Sequence, residues 1–198
     1  MSLARTLHGL YVEVMAKQSR RVLRYIPSVS KALEVILWLA DRQNGIDFYH
    51  LVKSAFYADK YHVAHFGRPI VGDVYRAAWW GPLPQVVYGL LRYEPMEILA
   101  LGNSGPLPFR VDDAFRVYGE RGPNLDRLSS SDIEALEYGL KEVAGKSFDE
   151  LVEQTHRDPA YVRATTGFMD YRDFIPDDDP KKRKKIEYLE EVASIAVL

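Results

Sequence analysis

The stretch FYADKYHVAHFGRPIVGDVYRAAWWGPLPQVVYGLL, residues 56–91, constrains the fold more than any other part of the chain. It opens in a helical pattern and stops at Gly67-Arg68-Pro69. Glycine adopts the left-handed conformation that ends a helix, and proline cannot continue one. Residues 74–80 are aromatic-rich and free of both breakers, which predicts an extended run. Gly81-Pro82 then breaks that run. Pro82 suits the first turn of a second helix to about residue 93, where its missing N–H is not needed. Tyr75, Trp79 and Trp80 are expected to set large apolar area between the two helices.

Helix signals recur on either side. Ser28 precedes a pattern reaching about Arg42, with Val29, Leu33, Ile36, Leu37 and Ala40 as its apolar stripe and Asn44-Gly45 as its end. Asp47 caps a helix over 48–65, with Leu51, Val52, Ala55, Phe56 and Asp59 on the inner side. Residues 94–127 are rich in Pro and Gly, with short extended candidates at 97–101 and 115–118, and predict either a small sheet or a long exposed loop. Ser129 with Asp132, or Ser131 with Glu134, makes a capping box before Ile133, Leu136 and Leu140, and Gly145 ends that helix. Ser147 with Glu150 opens another to Thr155, and Asp158-Pro159 reads as a cap followed by proline in the first turn. Acidic residues 177–179 before the basic run 181–185 predict a last helix from about Pro180, the order a helix dipole favours.

The expected fold is α+β and mostly α-helical: a compact helical domain over residues 28–166 with a small β-hairpin or short sheet. Residues 1–27 form an N-terminal extension, where Leu3, Leu7, Leu10 and Val14 make a helical stripe, unless Met15 is the true start. Residues 167–198 form a C-terminal segment with a final helix. The hydrophobic fraction, 47%, suffices for a core, and a formal charge of −2 gives no field favouring nucleic acid or anionic membrane. The absence of Cys removes disulfides, thiol nucleophiles and thiolate metal sites. No apolar run approaches the roughly 18 residues of a membrane span. The N-terminus lacks a signal-peptide cleavage pattern, so a cytoplasmic protein is expected.

Few residues suggest catalysis. Asp59, His62 and His65, at i, i+3 and i+6, could ligate a metal, but they lack the i, i+4 pair with an intervening Glu. Core hydrogen bonding for His62 and a helix-end place for His65 is the simpler reading. His156 with Asp158 invites an acid–base role, yet no nucleophile stands beside them, and both suit helix ends. The run 181–185 is flanked by acids and lacks interleaved aromatics, which favours a solvated helix face over a nucleic-acid platform. No phosphate-binding glycine loop occurs, and Asp112-Asp113 reads as a turn. What the chain has in excess is aromatics: 13 Tyr, 8 Phe and 3 Trp. Adjacent Trp79 and Trp80 would face opposite sides of a strand, leaving one as an interface anchor unless helices cover both.

Tyr57, Ala58, Asp59, His62, Gly67-Arg68-Pro69-Ile70, Gly72, Tyr75, Ala77, Gly81-Pro82 and Tyr88 resemble the signature of the Panacea domain. Leu128-Ser129, Asp132-Ile133, Leu136, Leu151, Thr155-His156 and Asp158-Pro159-Ala160-Tyr161 make a second matching block. Tyr161 stands where the family often has Trp, and the resemblance covers about residues 29–165. The family includes SocA-like antitoxins and phage-associated GepA proteins. The resemblance implies a non-enzymatic antitoxin that binds a cognate toxin protein directly and in some members delivers it to the ClpXP protease. No cofactor or metal is implied. The expected partner surface comprises Arg68, Tyr75, Trp79, Trp80, Pro82 and Tyr88, aromatics and Arg on a rigid frame. A DNA-binding regulator of its own operon is the alternative, and a metal-dependent enzyme built on Asp59, His62, His65 and His156 is the third reading.

Overall fold

A computed structural model describes residues 21–102 and 105–195. The stripe from Leu3 to Val14 lies outside the described residues. The central element is helix α2 (Phe48–Phe66), preceded by helix α1 (Val29–Arg42) and the short strand β1 (Ile46–Asp47). The Asp47 carboxylate accepts the His50 N–H at the start of α2, and Gly67, at φ 74°, ends the helix with its N–H on Val63 O. Helix α5 (Ser130–Val143) packs along α2 at close range. A Cβ on Gly139 would stand 2.2 Å from Ser54 O, so only glycine permits this approach. The α5 capping box uses Ser129 with Asp132. Helices α6 (Phe148–His156) and α7 (Pro159–Val162) follow, with a Ser147–Glu150 box on the first and Asp158 capping the second before Pro159.

Three strands, β1, β4 (Phe109–Val111) and β5 (Arg116–Gly119), form an antiparallel sheet in the order β1-β5-β4, with Val117 opposite both Ile46 and Val111. It covers α1, which is buried on nearly every side from Ala32 to Ala40. Within residues 94–127, Phe109–Val111 and Arg116–Gly119 thus supply two of the three strands of this sheet. The segment expected to be extended at 97–101 is instead helical, α4 (Pro95–Ala100), with Pro95 in its first turn. Ser28 occupies the N-cap position of α1 without a side-chain cap bond; its own N–H donates to Val71 O.

The stretch 74–84 folds as a hairpin of β2 (Tyr75–Ala78) and β3 (Gly81–Pro84), with Trp79-Trp80 as the turn. This corrects two expectations. Trp79 and Trp80 lie beyond the strand and are exposed. Pro82 lies in a strand, and helix α3 (Gln85–Leu91) starts only after Pro84. The hydrogen-bonding pattern explains both prolines. Ala77 N donates to Gly167 O and Tyr75 O accepts from Met169 N, so residues 75 and 77 turn their polar backbone away from β3. Opposite them sit Pro84 and Pro82, at the pairs that need no donor. With Pro84 unable to cap α3, Asp73 does so from the preceding loop, accepting from Val86 N at 2.9 Å and Val87 N at 3.0 Å.

Two apolar clusters flank α2. One surrounds α1 and includes Trp38, Leu51, Leu90 and Val117. The other gathers Phe56, Tyr75, Leu151, Phe174 of the 3₁₀ turn Tyr171–Phe174, and Leu189 of helix α8 (Lys182–Ile195). The chain is thus a mostly helical α+β protein, with two small antiparallel sheets among the described residues.

Candidate functional site

Many residues of the Panacea-like signature build the frame rather than a surface. Asp132, buried in the first turn of α5, accepts from Lys31 Nζ at 2.9 Å and Arg68 Nη2 at 3.1 Å, with His62 Nε2 at 3.2 Å. Burial alone would raise its pKa, but the bonds from His62 and Lys31 hold its carboxyl well below the usual range. His62 Nδ1 donates to Arg68 O at 2.7 Å. Asp59, fully buried, accepts from Ile70 N at 2.7 Å and Tyr75 Oη at 2.9 Å, and burial pushes its pKa up. These bonds fasten the end of α2 to the loop after Gly67 and to α5.

At the other end of α2, its own aromatics meet those of α3, α6, the hairpin turn and the turn before β5. The Trp79-Trp80 turn is held in place by Tyr49 Oη donating to Trp80 O at 3.0 Å and Tyr161 Oη donating to Ala78 O at 2.9 Å. Trp79 is 80% exposed and Trp80 54%. Trp80 packs edge-on against Phe148 at 5.4 Å, and Phe148 lies 4.3 Å from Tyr49. Facing them, Phe48 stands between Tyr88 at 6.5 Å and Phe115 at 5.6 Å. Phe115 sits at φ 57°, an uncommon conformation for an aromatic residue, and its carbonyl accepts the Phe48 N–H at 3.0 Å. Between the two walls runs a groove of about 190 Å³, floored by Val52, Lys53, Gly81 and Leu83.

Lys53 is 2% exposed. Its Nζ donates to Pro82 O at 2.8 Å and lies 4.7 Å from the centre of the Tyr49 ring. Burial pushes its pKa down to about 7. Gly81, at φ 94°, lets the hairpin come down onto this amine: a Cβ there would stand 3.1 Å from Nζ and 2.5 Å from Thr155 Oγ1.

Of the residues expected at a partner surface, Trp80 and Tyr88 line the groove, Trp79 stands at its edge, and Pro82 lies beneath it. Arg68 and Tyr75 do not join them. Tyr75 is buried in the second core, and Arg68 follows the far end of a 19-residue helix, about 28 Å from its start. Sequence reasoning missed Phe48, Tyr49, Lys53, Phe115 and Phe148. Only Lys53 carried a local signal: a lysine within the apolar run 51–56, on the side of the helix that is buried.

Other candidate chemistry is dispersed. His62 and Asp59 serve the frame, whereas His65 stacks on Tyr61 at 4.0 Å. Among the described residues no three His, Cys, Asp or Glu side chains are placed to hold a metal ion together. His156 stacks on Tyr161 at 4.6 Å, and Asp158 pairs with Lys60. In the basic run, Lys182 pairs with Asp177, Lys185 pairs with Asp179 and donates to Ala64 O, and Arg183 pairs with Glu187. Among the described residues no helix is long and apolar enough to cross a membrane.

In a comparison with known families, the one described as "Antitoxin SocA-like, Panacea domain" matches residues 51–161, more than half of the chain. No curated protein and no solved structure matches. The matched span begins on α2 and ends at Tyr161, one of the two tyrosines that hold the Trp hairpin.

Proposed function

The chain belongs to the SocA-like antitoxin, Panacea domain family, and on that premise we propose that it neutralises a cognate protein toxin by binding it directly, with the aromatic groove as its docking surface. The observation that carries this reading is the pair of exposed tryptophans on a turn fixed by two tyrosine hydroxyls. Large aromatics held rigid before binding supply contact area with little ordering cost, the character of interface hot spots. Arg68 and Tyr75 act here by holding the frame. The chain has no catalytic role in this reading, requires no cofactor, and works in the cytoplasm beside its toxin.

The test is a growth assay. The product of the adjacent reading frame is expressed alone and together with this chain. Toxicity relieved by co-expression, with co-purification of the two proteins, is the expected result; an innocuous neighbour that does not co-purify overturns the proposal. Turnover of the toxin in cells with and without ClpXP separates delivery to the protease from simple blocking. Trp79→Ala with Trp80→Ala is expected to weaken the complex by at least about 2 kcal/mol, near thirtyfold. Its melting temperature should fall only slightly, because Trp79 is 80% exposed and the partly buried Trp80 packs at the surface on Phe148.

A further inference from the structure

Lys53 is the unusual part of the groove. An ammonium group has three protons to donate, yet among the described residues only the Pro82 carbonyl and the face of Tyr49 receive Nζ. Among the described residues no carboxylate forms an ion pair with it, and burial alone accounts for its lowered pKa. A buried amine without a counter-ion disfavours its own charge. The walls above it are aromatic rings, and two hydroxyls beside the hairpin are already engaged, Tyr49 Oη donating to Trp80 O and Thr155 Oγ1 to Leu151 O. One cationic group is thus left at the bottom of an aromatic cleft.

Resting on the antitoxin reading above, we propose that the toxin presents an Asp or Glu side chain, carried on an otherwise apolar segment, into this groove, where its carboxylate accepts from Lys53 Nζ. The chemistry of the floor selects the ligand. One ammonium matches one carboxylate; a phosphate would call for further donors, and no second cation lines the groove among the described residues. A chain terminus would bring its last peptide group down into the cleft and out of water. A side-chain carboxylate reaches Nζ while its backbone stays at the rim. The tryptophans would then supply contact area, and Lys53 the discrimination among partners.

Calorimetric titration of the adjacent-frame product into this chain tests the proposal. Lys53→Met, which keeps length and removes charge, is expected to weaken binding at least about tenfold, a loss of about 1.4 kcal/mol. Among Asp→Asn and Glu→Gln substitutions in the toxin, one should reproduce that loss on the wild-type chain and add nothing on Lys53→Met. This toxin-side scan stands even if Lys53→Met fails to fold. If binding survives every such amide, or is lost on extending the toxin's C-terminus instead, the proposal is overturned. If Lys53→Met binds like wild type while Trp79→Ala with Trp80→Ala does not, the carboxylate proposal falls and the docking surface stands. If the wild-type chain does not bind at all, the antitoxin reading fails and takes this inference with it.

Discussion

At the scale of single residues, Lys53 links stability to binding. Its folded pKa of about 7 lies below the ordinary 10.5. Between those values the unfolded chain holds more protons than the folded one, so this group's contribution to stability rises with pH across that window. Below about pH 7 the amine is charged in both states and its burial is most costly. Among the described residues the titratable side chain facing Nζ is Tyr49, whose pKa burial pushes up to about 12, so it stays neutral throughout. Lys53→Met should therefore be more stable than wild type by roughly 1–3 kcal/mol at about pH 6, with the gap closing by about pH 10. Urea denaturation of both proteins at the two pH values measures it; a gap that is absent at pH 6, or that widens with pH, contradicts the account. The substitution that strengthens the free protein is thus the one expected to weaken its complex, a familiar opposition between stability and function.

At the scale of elements, the contact between α2 and α5 rests on Gly139. In an exposed helix, Gly→Ala gains about 1 kcal/mol in helix propensity. Here the added methyl would stand 2.2 Å from Ser54 O and 3.0 Å from Ala58 N, both backbone atoms of a buried helix. Overpacking of this kind typically costs about 1–3 kcal/mol, and with backbone as the obstacle it outweighs the propensity gain. Gly139→Ala should lower the urea midpoint without changing the slope; a raised midpoint would mean that the helices can separate cheaply. Helix boundaries were legible in the sequence because their causes are local: Asp47 and Gly67 around α2, and Ser129 with Asp132 on α5, act within a few residues. Pro82 was not legible. Nearby residues favour a helix start, whereas the strand it joins is fixed by residues 167–169, far along the chain. The site divides in the same way. Trp79, Trp80 and Tyr88 stand out as aromatics beside a proline turn, but Phe48, Tyr49, Phe115 and Phe148 become neighbours only through tertiary packing.

At the scale of the whole molecule, the family match ends at residue 161, whereas the core does not. Leu189 of α8 is fully buried, and Tyr25 Oη donates to its carbonyl at 2.9 Å. Arg172 Nη1 reaches Glu190 at 2.8 Å, and Lys185 Nζ donates to Ala64 O at 2.7 Å. Tyr188 covers Gly67, where a Cβ would meet its ring at 2.6 Å. A chain ended after residue 180 should therefore lose cooperative unfolding, since it exposes the second core and removes burial worth about 2–3 kcal/mol at Leu189 alone. A sharp, wild-type-like melting transition in that truncation would show that α8 is dispensable. The arrangement also bears on synthesis, which delivers the chain from N- to C-terminus. Phe56 and Tyr75 emerge from the ribosome well before Phe174 and Leu189, the residues that enclose them. A translation product cut short between them would present a bare aromatic face to cellular proteases. Until residues 171–195 have followed, the aromatic face of α2 and the hairpin lacks its cover.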